Sequence, residues 1–164
     1  MFRKIMVPTD GSQTSNLALE EAIKLAKDQK ASLYLFHAVD ELSLVANSAA
    51  LDGGMYIGRM LEDFVAAGKK ILAAADAKVR KHGLRSTSLL IENLTSPTSD
   101  LIIKQAKKWH ADVIVMGTHG RRGVRRLVMG SDAEGVVRTT PVPVLLVRST
   151  ARAPRRVRSR ARKK

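Results

Sequence analysis

"VIVMGTHGRRGVRRLVMGSDAEGVVRTTPVPVLLV", residues 113–147, decides how this chain folds. It opens on an unbroken apolar run, Val113–Met116, and closes on another, Val144–Val147. Neither run alternates with polar residues. Such strands are expected where both faces of a parallel sheet are covered. Between them lie Gly117, Gly120 and Gly130, four arginines (Arg121, Arg122, Arg125, Arg126), and a short helical pattern from about Ser131 to Arg138. Pro141 and Pro143 cannot donate to a ladder, so the last strand belongs at a sheet edge.

Three earlier runs repeat the pattern: Ile5–Val7, Leu33–Phe36 and Leu89–Ile91. Helical spacing fills the gaps. In residues 15–29, Ala18, Ala22 and Leu25 share a face with Leu19, Ile23 and Ala26. In residues 57–82 the stripe is Leu61, Phe64, Val65, Ile71, Leu72, Ala75 and Val79, with Gly83 as the C-terminal cap. In "SPTSDLIIKQAKKW", Ser96 is expected to cap and Pro97 to take the first helical position. The alternation predicts an α/β fold, an open sheet with helices on both faces. Segment 40–56, "DELSLVANSAALDGGMY", is long for a connection and reads as a lid or mobile segment.

The 164 residues suit one domain, and 45% apolar with 27% charged residues is an ordinary globular balance. There is no cysteine, hence no disulfide or thiolate metal site. The N-terminus does not read as a signal peptide and no apolar run reaches membrane-span length, so a cytoplasmic protein without membrane contact is expected. The net charge of +14 is concentrated at one end. The last fourteen residues, "ARAPRRVRSRARKK", hold eight of the 29 basic residues and no acid. Removing those eight leaves 21 basic against 15 acidic residues, a balance of +6. We therefore expect a folded domain over residues 1–148 and a basic, disordered tail over 149–164.

In an open α/β sheet, ligands bind beyond the carboxyl ends of the strands where strand order reverses. The polar junctions there are Pro8-Thr9-Asp10-Gly11-Ser12, "HAVD" at 37–40, and "GTHGRRG" at 117–123. Gly117 and Gly120 permit close backbone approach. Gly130-Ser131 opens a helix, and a helix N-terminus is a ready phosphate site. Each feature also has a purely structural reading. Ser131-x-x-Glu134 is a capping box, the glycines are turn residues, and Asp10 is a candidate helix cap. The arginines, Arg121 included, read as a solvated face or a phosphate clamp, and Met116 as core touching a ligand at its edge. His37, His82 and His110 lack ligand spacing, so no metal site is expected. The P-loop, dinucleotide and nucleophile-elbow fingerprints are absent.

Gly117-x2-Gly120-x9-Gly130-Ser131 resembles the G-x2-G-x9-G-[S/T] pattern of the ATP-binding branch of the universal stress protein family. The opening "KIMVPTDGS" and residues 111–148 resemble that family too. The resemblance implies a Rossmann-like fold of the adenine-nucleotide alpha-hydrolase type, with five parallel strands ordered 3-2-1-4-5. It also implies a homodimer through the last strand, about Pro141–Arg148. It implies ATP, ADP or AMP as ligand, with or without Mg2+. Asp10 and the Gly117 region would hold the ribose, and the Val39 backbone the adenine. Gly120, Gly130, Ser131 and Asp132 would cradle the phosphates, with Pro8, Thr9, Met116, His119 and Arg121 beside them.

The leading expectation is an adenine-nucleotide-binding stress-response and signalling module. A slow ATP hydrolase or phosphate-transfer enzyme is the second, with only Asp10 or His119 as candidate base. Salt-sensitive binding of nucleic acid or another acidic partner through the tail is the third. No aromatic residue interleaves the tail's charges, so base stacking is not suggested.

Overall fold

The computed structural model describes residues 1–40, 54–93, 96–120 and 129–148. The strands are β1 (Lys4–Pro8), β2 (Ser32–Asp40), β3 (Ser86–Asn93), β4 (Val113–Gly117) and β5 (Val144–Val147). The helices are α1 (Gln13–Gln29), α2 (Gly54–Lys81), α3 (Thr98–Trp109) and α4 (Ser131–Thr139). Every strand pair is parallel, and the order is β3-β2-β1-β4-β5. Each apolar run read from the sequence lies inside one of these strands, and the order is the one the resemblance implies.

The unbroken apolar runs are explained by two cores, one on each face. Side chains alternate across a strand. Ile5 and Val7 of β1, Leu33 and Leu35 of β2, and Val113 and Val115 of β4 therefore share one face. They meet Ala18, Leu19, Ala22 and Ile23 of α1 and Leu72, Ala75 and Val79 of α2. The residues between them, Met6, Tyr34, Phe36, Ile114 and Met116, point the other way. They meet Ile102, Ile103 and Ala106 of α3 and Ala133 and Val136 of α4. A strand buried on both sides has no room for a polar alternate.

The helix ends show why the chain turns where it does. Beyond α2, Gly83 has φ +76°, its amide donates to the Arg80 carbonyl, and the Leu84 amide reaches the Val79 carbonyl at 3.3 Å. That is a Schellman termination with glycine at the left-handed position, as the sequence suggested. Two helix starts differ from expectation. Pro97 is the N-cap of α3 and not its first helical residue, so the cap residue supplies no side-chain hydrogen bond. Proline sets φ for either role; the extended ψ of 140° makes it the cap. At α4 the N-cap is Gly130, so the capping box does not form. The Gly130 amide is tied to the Thr118 carbonyl at 2.9 Å, which starts the helix one residue early. Glu134 instead pairs with Arg138 at 3.6 Å.

β5 lies at the sheet edge, as expected, with Leu145 43% exposed. Pro141 and Pro143 precede the strand and do not belong to it, and the Pro143 carbonyl accepts from the Ile114 amide of β4 at 2.9 Å. Among the described residues no helix is long and apolar enough to cross a membrane.

Candidate functional site

Strand order reverses between β1 and β4: the chain leaves β1 for β2 on one side, and β4 continues to β5 on the other. A cleft of about 380 Å³ opens at the carboxyl ends of these strands. That is large enough for a small organic ligand. Pro8, Thr9 and Asp10 form one wall, and Gly117, His119 and Gly120 the facing one. Gly130, Ser131, Asp132 and Ala133, the start of α4, close one end. Phe36, His37 and Ala38 of β2 line it too, with Met116 of β4 and Thr98 and Ile102 of α3.

The β1 wall is held by its own hydrogen bonds. The Thr9 amide donates to the Phe36 carbonyl at 2.8 Å, extending the β1–β2 ladder by one rung. Ser12, not Asp10, caps α1: its hydroxyl accepts from the Ser15 amide at 3.2 Å. Asp10 accepts from the Ser12 amide through Oδ1 at 3.0 Å, a local turn that leaves its carboxylate on the cleft. Gly11, between them, has φ +78° and packs under Ile71 of α2.

The β4 wall is closed by the return of the chain. Thr118 donates to the Val147 carbonyl at 3.0 Å, and Gly130 donates back to Thr118. The Thr14 hydroxyl donates to the His119 carbonyl, which joins this wall to α1. Glycines ten positions apart are thereby brought side by side. A Cβ on Gly130 would lie 3.5 Å from His119 Cα and 3.9 Å from the Gly120 amide nitrogen. A Cβ on Gly120 would lie 2.8 Å from Asp10 Oδ2 across the cleft. Gly130 itself has φ −66° and ψ 149°, which any residue adopts. Its protein neighbours leave ordinary contact distances for a side-chain carbon. Among the described residues, nothing requires glycine at 130.

α4 presents its N-terminus here, and its N-cap, Gly130, has no side chain to offer it. The first-turn amides and the positive end of the helix dipole suit an anion. Asp132 and Glu134 in that turn temper the field. His119 places Nδ1 2.9 Å from the Thr118 hydroxyl. Its Nε2 is buried without a hydrogen-bond partner among the described residues. Asp10 and Asp132 are the carboxylates of the lining. No group of three metal-ligating side chains occurs among the described residues.

Of the residues singled out from the sequence, Pro8, Thr9, Asp10, Met116 and Gly117 line the cleft. So do His119, Gly120, Gly130, Ser131 and Asp132. Val39 does not: it is 3% exposed in β2, and its neighbour Ala38 takes the wall. Arg121 and the other three arginines, residues 41–53 of the long connection, and the tail from 149 lie outside the described residues. Ser15, Phe36, His37, Ala38, Thr98, Ile102 and Ala133 also line the cleft and do not stand out as site residues in the sequence. "HAVD" was flagged as a junction, which was the only signal for His37 and Ala38. The α3 contributions carry none, because they reach the cleft through packing.

The chain matches the universal stress protein family model over residues 1–148. It is 33% identical over 148 residues to universal stress protein MJ0531 of Methanocaldococcus jannaschii, covering 90% of this chain and 83% of that protein. Among solved structures it resembles MJ0577 of the same organism at a TM-score of 0.78, with 22% identity. That likeness covers 91% of this chain and 97% of the other, and it shows the fold. The universal stress protein of Archaeoglobus fulgidus in complex with dAMP is similar at a TM-score of 0.64 and 25% identity, over 88% of this chain and 97% of that one. Motif spacing, strand order and family match agree, and the chain belongs to the universal stress protein family.

Proposed function

We propose that this protein binds an adenine nucleotide in the cleft between β1 and β4 and works as a stress-response signalling module. The observation that supports this best is Gly130. Neither its backbone conformation nor its neighbours call for glycine, yet it sits beside Gly120 at the uncapped start of α4. A bare backbone at that point suits a phosphate approaching the amides. The Archaeoglobus fulgidus relative was solved with dAMP. In this reading Asp10 and the Gly117 backbone take the ribose, the end of β2 at Ala38 and Val39 takes the base, and Gly120, Gly130, Ser131 and Asp132 surround the phosphates. ATP, ADP and AMP share this chemistry. Mg2+ commonly binds one or two carboxylates together with substrate phosphates. Asp10 and Asp132 fit an ion that arrives with ATP, held chiefly by the phosphates. The edge position of β5 and the exposure of Leu145 support a homodimer through about Pro141–Arg148.

The test has two steps. Nucleotide released from the purified, denatured protein is identified by chromatography. Calorimetry then measures AMP and ATP binding to the wild type and to Gly130→Val. The variant's backbone is compatible with β-branched residues, so it folds and loses affinity. Equal affinity in the folded variant refutes the reading.

A further inference from the structure

His37 is 4% exposed and lies near the end of β2. Its Nδ1 is 2.7 Å from the Thr9 carbonyl oxygen. A carbonyl only accepts, so Nδ1 carries the hydrogen and donates it. The ring stands against the backbone of α2. A Cβ on Gly68 would lie 2.7 Å from His37 Cδ2 and 2.8 Å from Leu90 Cδ1. Glycine at 68 costs helix propensity, and it is the notch that lets the imidazole stand there.

We propose that His37 is a positioning residue for the cleft: its Nδ1–H orients the Thr9–Asp10 peptide and so places the Asp10 carboxylate opposite Gly120. The ligand-binding arm of this inference rests on the nucleotide reading above. The peptide unit is planar, and no cis bond occurs among the described residues. Fixing the direction of the Thr9 carbonyl therefore fixes the Asp10 amide on the opposite side. The Thr9 amide is already committed to Phe36, and its hydroxyl lies 3.4 Å from that of Ser15. His37 supplies the remaining anchor. Asp10 is then held from both ends, by the oriented peptide before it and by the Ser12 amide on Oδ1. Without the imidazole donor a buried carbonyl loses its partner, which drives the peptide to rotate.

His37→Asn and His37→Leu separate the donor from the bulk, since the Asn amide nitrogen falls close to the position of Nδ1 while Leu offers no donor. In the ligand-free protein, hydrogen exchange at Asp10, Gly11 and Ser12 accelerates at least tenfold in His37→Leu and stays within threefold of wild type in His37→Asn. AMP affinity measured by calorimetry follows the same ranking, with a loss of at least tenfold in His37→Leu only. Thermal unfolding confirms that both variants fold. Unchanged exchange in His37→Leu, or equal acceleration in both variants, overturns the inference. This exchange pattern across the variants, together with no AMP binding to the wild type, overturns the nucleotide reading and leaves the positioning role standing.

Discussion

Gly117→Ala tests the closeness of β4 to the first turn of α1. A Cβ at 117 would lie 2.9 Å from the Thr14 carbonyl carbon, 3.0 Å from Thr14 Cβ and 3.1 Å from the Ser15 amide nitrogen. None of these is the free end of a flexible side chain. The turn is pinned by the Ser12 hydroxyl on the Ser15 amide and by Thr14 on the His119 carbonyl. The helix start must therefore shift as a unit. Overpacking of this kind costs about 1–3 kcal/mol. The reduced entropy of the unfolded chain returns about 0.4–1 kcal/mol. A net destabilisation of about 1–2 kcal/mol lowers Tm by roughly 2–8 °C in a domain of this size. Scanning calorimetry of Gly117→Ala beside Gly58→Ala is the assay. Gly58 lies in α2 with no atom of the described residues within 4 Å of an added Cβ, so alanine there gains helix propensity and raises Tm. A Gly117→Ala protein as stable as wild type, measured beside a stabilised Gly58→Ala, refutes the packing argument.

Gly120→Ala separates binding from stability. Among the described residues its Cβ would meet the end of the Asp10 side chain, at 2.8 Å, which can swing aside. Stability changes by less than about 0.5 kcal/mol, while displacement of the carboxylate weakens nucleotide affinity about tenfold, or about 1.4 kcal/mol; a large Tm loss with unchanged affinity contradicts this. Asp112 makes stability pH-dependent. Its Oδ2 accepts from the Arg3 and Lys4 amides at 2.7 and 2.9 Å, and those backbone donors hold its carboxyl below the usual carboxylate range. A depressed folded pKa contributes stability above the unfolded value, lost as pH falls through the folded one. Asp112→Ala lowers stability near neutral pH by about 1 kcal/mol, discounted for its exposure. Thermal melts should show the gap to wild type closing as pH falls below the ordinary carboxylate range, and a gap that persists in strong acid disproves the linkage.

Much of the site was legible because it is built on glycine spacing and strand ends. Gly117, Gly120 and Gly130 announce bare backbone, and "PTDGS" announces a turn after an apolar run. The helix starts were harder. A capping box and an N1 proline were both plausible, and which residue became the cap depended on a contact from elsewhere. For α4 that contact is the Gly130 amide on Thr118. His37 stands in the "HAVD" junction, but its anchoring role has no sequence signal, because its partner Thr9 is 28 positions away and no local pattern pairs them.

By itself the sequence determined the five strands, the two-sided burial and the carboxyl-end location of the cleft. The strands and their burial follow from a local rule: unbroken apolar runs need two covered faces. Only the tertiary structure decided which glycines are steric necessities and which are open. Gly117 is pressed on Thr14 and Gly68 on His37, while Gly130 has room for a carbon. A glycine's spacing is a property of the chain, but the space around its missing Cβ belongs to the neighbours that folding brings to it.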